Sequence, residues 1–166
     1  MKTWLLAAAL MLSAFPSGAM AQSKESLVGT WKLVSYTTTN DKGEVEHGMG
    51  MNPTGFLTYT GDGRVSVVIA DSRRKPLFSS GTPTVEAKAD AFDSFIDYAG
   101  SYTFTDERVT HHIEVSSYED SVNTDLVRSV KIQGDRLTLR GEGPVGGVMY
   151  RLEVVWERMK PKTTDR

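Results

Sequence analysis

From residue 27 onward the chain alternates apolar and polar side chains in short runs, and turn-forming residues interrupt each run within about a dozen positions. A period of two puts one side of an extended segment against a core and the other toward water, so the pattern predicts strands. Residues 27–38 make the first, with Leu27, Gly29, Trp31 and Leu33 on one face and Thr30 and Lys32 on the other. A turn at Asn40 to Gly43, a weakly patterned stretch over 45–50 and a second turn at Asn52 to Gly55 follow. Strands at 56–60 and 65–70 are joined by Gly61-Asp62-Gly63, and strands at 101–105 and 108–115 by Asp106-Glu107. Further strands fall at 126–132 and 137–140, across Gln133-Gly134-Asp135, and a glycine-rich turn over 141–147 leads into a closing strand at 148–159.

The middle breaks this rhythm. Residues 71–83 form a loop carrying Pro76, Gly81 and Pro83. Residues 84–98 then read as a helix, with Pro83 suited to its start and Ala91, Phe92, Phe95, Ile96 and Tyr98 as an approximate stripe; Gly100 stops it. One helix among about eight to nine strands gives an all-β class, either an antiparallel sandwich or an up-and-down barrel.

The first residues bear on location rather than fold. Lys2, an apolar run from Trp4 to Leu12, Pro16 and the small-x-small series Ala19-Met20-Ala21 make a secretory signal pattern, too short to span a bilayer. The expected organisation is a signal peptide at 1–21 cleaved after Ala21, a leader at 22–26, one domain at 27–159 and a disordered, charged tail at 160–166. The expected location is periplasmic or secreted, with no integral membrane segment left after cleavage. With 19 Lys and Arg against 21 Asp and Glu the formal charge is −2, and the densest basic run, Arg73-Arg74-Lys75, is too small for a nucleic-acid footprint. The absence of cysteine removes thiol nucleophiles and thiolate metal sites.

Catalytic signatures are missing. There is no Gly-x-Ser-x-Gly elbow, phosphate loop or His-Glu-x-x-His helix, and His112 with Glu114 supplies only two of the ligands a metal site needs. The reading therefore assigns no catalytic residue, no metal and no cofactor. Its informative residues are polar side chains on apolar faces. Alternation sets His111 with Val109, Ile113 and Val115, and Arg128 with Leu126, Val130 and Ile132. An inward arginine costs several kcal/mol unless paired or hydrated, and a water-filled cavity resolves that cost. Tyr59, Tyr102 and Tyr150 share faces with Leu57, Phe104 and Leu152 and supply phenolic partners. The candidate ligand-binding set is thus Arg128, His111, Tyr102, Tyr59 and Tyr150, with His111 expected to titrate near neutral pH.

Leu27-Val28-Gly29-Thr30-Trp31-Lys32-Leu33 resembles the Gly-x-Trp signature of the lipocalin first strand. Further pieces resemble the bacterial and fungal lipocalin-like domain family: Gly55-x-Leu57-x-Tyr59-Thr60-x-Asp62-Gly63-Arg64, Tyr98-Ala99-Gly100-Ser101-Tyr102, Val109-Thr110-His111-His112, and Leu152 through Trp156-Glu157-Arg158. The resemblance implies an up-and-down barrel with a cavity and a helix near its mouth. It also implies structural roles for Gly29, Trp31 and Arg158, with the cationic side chain of the last strand over the tryptophan. The expected function is binding of a small, partly apolar, hydrophobic or amphipathic ligand, with a carboxylate, enolate or phenolate end oriented by Arg128. The rivals are an isomerase or cyclase using His111 as acid or base, and a barrel filled by its own side chains.

Overall fold

The computed structural model describes residues 23–78, 81–105, 107–145 and 148–160. The expected signal peptide and residues 161–166 of the expected tail lie outside them. A single helical turn, α1 (Lys24–Leu27), precedes β1 (Gly29–Thr39), β2 (Val45–Glu46), β3 (Thr54–Tyr59) and β4 (Arg64–Ala70). The helix α2 (Val85–Asp93) follows, then β5 (Phe95–Thr105), β6 (Arg108–Ser116), a 3-10 turn at Glu119–Ser121, β7 (Asp125–Gln133), β8 (Arg136–Val145) and β9 (Val148–Arg158). Consecutive strands pair antiparallel from β3 to β9, β1 pairs with β3, and β9 returns to pair with β1. The result is a closed eight-stranded antiparallel barrel, with β2 as an extra strand on the far end of β1. Closure leaves the eight barrel strands with a partner on each side, the arrangement that best satisfies an antiparallel meander of this length. No helix among the described residues is long and apolar enough to cross a membrane.

One end of the barrel is plugged. Leu27 and Trp31 are fully buried there, and the Trp31 indole N–H donates to the Leu27 carbonyl at 2.8 Å. The Arg158 guanidinium lies 4.0 Å from the Trp31 ring centre and donates to the carbonyls of Val28 and Ser26. Gly29 makes room for it. Its φ of +132° suits glycine, and a Cβ there would come within 3.1 Å of Arg158 Nη1. Leu27 therefore ends a helical turn instead of opening the strand. Part of the expected leader, Lys24 to Ser26, belongs to the plug through the Ser26 carbonyl.

Three local readings need correction. The helix stops at Asp93, and Phe95 to Tyr98 extend β5, pairing with Val67 to Ala70 of β4. The glycines at 141 and 143 lie within β8, held extended by their pairing to Leu152 and Tyr150 of β9. Val115 leaves the face of Val109, His111 and Ile113. The β5–β6 register slips between Ala99 and Gly100, which inserts Glu114 as a bulge and leaves Val115 61% exposed. Ser116 thereby returns inward.

Candidate functional site

The end opposite the plug holds a cavity of about 150 Å³. Its walls are mainly apolar, with Val67, Ile69, Ile113, Leu139 and Val154 among them. Its lining runs from the buried Trp156 outward to the half-buried Asp97 and Ser116 and the exposed Tyr118. Helix α2 flanks this end, with the Phe92 ring 4.7 Å from that of Tyr118.

Arg128 lines the cavity from β7. The ladder between β7 and β8 runs only from Gln133↔Arg136 to Ser129↔Arg140. Beyond it, β7 pairs with β6 alone and β8 with β9 alone. The Arg128 side chain fills the space where the strands part. It packs so closely on Gly141 that a Cβ there would lie 2.7 Å from its Cδ and Nη1. Nη1 donates to the carbonyl of Val127 at 3.0 Å, and among the described residues no carboxylate forms an ion pair with it.

Below the cavity lies a buried hydrogen-bonded chain. His111, 1% exposed, has its Nε2 2.7 Å from the Tyr59 hydroxyl and its Nδ1 2.9 Å from the Tyr98 hydroxyl. Burial, and then the nearby positive charge of Arg128, push the imidazole pKa down to about 3. The ring is therefore neutral at physiological pH, contrary to the expectation of a group titrating between pH 5 and 8. Burial also raises the phenols of Tyr59 and Tyr98, so both keep their protons.

The structure brings Arg128, His111 and Tyr59 into one neighbourhood and adds Tyr98, Tyr36 and Trp156, which the sequence reading left out. Tyr102 and Tyr150 sit elsewhere. Tyr102 points inward, but at the plugged end, where its hydroxyl donates to the Thr60 carbonyl at 3.0 Å and its ring packs edge-on to Tyr59. Tyr150 is half-buried near the start of β9, opposite Gly143, and does not line the cavity. Tyr98 escapes the candidate set because the sequence pattern places it in the helix. Read with Ile96, Gly100 and Tyr102 it shows the period of a strand. On the outer surface His112 pairs with Asp125 and Glu114 with Arg64, so those two side chains serve separate partners. Trp156 is 2% exposed, and among the described residues its indole N–H has no hydrogen-bond partner.

A family profile described as "Lipocalin-like domain" matches residues 28–159. Over 97 residues the chain is 33% identical to the 4'-hydroxy-3'-methoxypropiophenone carrier protein of Aspergillus oryzae, an alignment that covers 52% of this chain and 85% of that protein. The solved structure of an uncharacterized protein from Bacteroides eggerthii DSM 20697 superposes with a TM-score of 0.40 and 14% identity, over 80% of this chain and 99% of that one.

Proposed function

Since the chain belongs to the lipocalin-like domain family, we propose that it is an exported carrier that holds a small, partly apolar molecule with an anionic end in the barrel cavity. The observation that carries this reading is a guanidinium without an ion-pair partner among the described residues, set in an otherwise largely apolar cavity wall. Arginine keeps its charge, and its planar fork suits a pair of anionic oxygens. A cavity of about 150 Å³ is the size that takes a benzene ring, so a compact aromatic acid fits better than a long acyl chain. The relative named as a carrier of a propiophenone supports the same use of the barrel. Retention is favoured over turnover because both nitrogens of His111 are engaged by tyrosines and the ring is neutral near pH 7.

The test is calorimetric titration of wild type and Arg128→Leu with a panel of aromatic and fatty acids, after circular dichroism has shown both folded. The variant keeps an apolar side chain and loses the charge. It is expected to remain folded and to lose about 2–5 kcal/mol of affinity for an aromatic carboxylate. Equal affinities for an acid shown to occupy the cavity would rule Arg128 out as the anchor.

Export rests on Lys2, the apolar run and Ala19-Met20-Ala21. Protein recovered from the envelope or medium of a bacterial host is expected to begin at Gln22. Terminal sequencing that returned Met1 on the exported product would overturn cleavage at that site.

A further inference from the structure

The paired tyrosines on His111 fix where one proton points. A neutral imidazole has one N–H donor and one bare nitrogen, so of its two tyrosine partners one donates and the other accepts. Tyr59 is 1% exposed, and among the described residues His111 Nε2 is the partner of its hydroxyl. Were Nε2 protonated, the Tyr59 O–H would be buried with nothing to receive it, at the desolvation cost of an orphaned donor. Tyr59 therefore donates to Nε2, which leaves the proton on Nδ1. The Nδ1–H donates to the Tyr98 oxygen at 2.9 Å. The Tyr98 proton is then not used by His111, and Tyr98 lines the cavity.

A second, independent donor lies unpaired in a residue of the same lining. Trp156 lines the same cavity, and among the described residues its buried indole N–H has no acceptor. Arg128 adds donors only. Carboxylate and hydroxyl oxygens among the lining residues come from Asp97, Ser116 and Ser121, which are half-buried, and from Tyr36 and the exposed Tyr118.

We infer that the Tyr59–His111–Tyr98 chain holds Tyr98 as a hydrogen-bond donor which, with the Trp156 N–H, selects ligands carrying a proton-free acceptor oxygen, a ketone or carboxylate in place of a hydrocarbon. This rests on the carrier reading and names the ligand group the cavity recognises. Tyr98 and Trp156 are specificity-determining residues. Tyr59 is a positioning residue that acts through the tautomer of His111.

Two measurements separate this inference from the carrier reading itself. The first needs no ligand. Nitrogen-15 NMR of the imidazole is expected to show His111 as the Nδ1–H tautomer in the wild type and to lose that preference in Tyr59→Phe. The second compares two probes of matched shape, acetophenone and α-methylstyrene, the first with a carbonyl where the second has a methylene. Tyr98→Phe is expected to weaken acetophenone about ten-fold, the scale of one hydrogen bond, and to leave α-methylstyrene unchanged. Tyr59→Phe, whose residue does not line the cavity, is expected to weaken acetophenone selectively as well. In the wild type the Trp156 indole resonance is expected to move with acetophenone.

An Nε2–H tautomer in the wild type overturns the inference. So does equal weakening of both probes in Tyr98→Phe, and in either case the carrier reading stands. Failure of both probes, and of the aromatic acids, to bind overturns the carrier reading. The tautomer, read without ligand, still decides whether the chain holds Tyr98 as a donor.

Discussion

Replacing Trp31 with alanine is expected to destabilise the barrel by about 3–5 kcal/mol, the range for removing a large buried aromatic. Trp31 has no exposed surface, its N–H closes on the Leu27 carbonyl, and its ring lies under Arg158. The substitution thus empties the floor of the barrel and strips α1 of one of its ties. Arg158→Ala is expected to cost less, about 1–2 kcal/mol. It removes a cation–π contact and donors to two carbonyls, but Arg158 is half-buried and water can reach the freed groups. Urea unfolding of the two variants beside the wild type checks both values. A Trp31→Ala midpoint within error of the wild type would show that the plug contributes nothing to stability.

Acid is expected to expose the cost of burying His111. Its pKa is near 3 in the folded barrel against 6.5 for an ordinary histidine. Between those values the unfolded chain binds a proton that the folded one refuses, so stability falls as pH falls through this window. The contribution is fully present above about pH 6.5, and the slope is about 1.4 kcal/mol per pH unit for one proton. The lowered carboxylates of Asp71 and Glu114 also lose stability on protonation, so the histidine has to be isolated by difference. His111→Gln keeps a donor and an acceptor but cannot be charged. It is expected to be less stable than the wild type at pH 7 and to lose stability less steeply toward pH 4. Parallel stability profiles for the two proteins across that range would show that His111 is not held neutral.

The strands were legible where the pattern was undisturbed. In β3 and β4 every second residue is inward, and the hairpin at Gly61 to Gly63 appears as expected. The failures have local causes. The apolar residues at 95, 96 and 98 continue the loose helical stripe of Ala91 and Phe92 but also fit a strand, and pairing with β4 decides for the strand from Phe95 onward. The glycines of β8 carry no side chain to show alternation, so their extended state comes from β9 across the ladder. A bulge such as that at Glu114 leaves no mark in composition but shifts every later residue by one face.

The site was legible by face and illegible by height. Alternation sends Tyr59, Tyr102, His111 and Arg128 inward, and all four are inward in the barrel. It does not say how far along the axis each one lies. Tyr102 therefore joins the plug, while Arg128 reaches the cavity. Trp156 carried no signal of its own in the sequence. A tryptophan on an apolar face reads as core, and only its unmatched N–H marks it as more than that.

The parting of β7 and β8 also makes the wall mechanically uneven. Around most of the circumference the barrel is stiffened by backbone ladders, whose strands separate only by giving up hydrogen bonds. Between Arg128 and Gly141 the wall is a side chain lying against a backbone, held among the described residues by packing and by its bond to Val127. Widening the barrel there requires a rotation about side-chain torsions and no rupture of the sheet. The compliance of the container is thus concentrated at the residue proposed to hold its cargo, and the shape of that seam follows the state of Arg128.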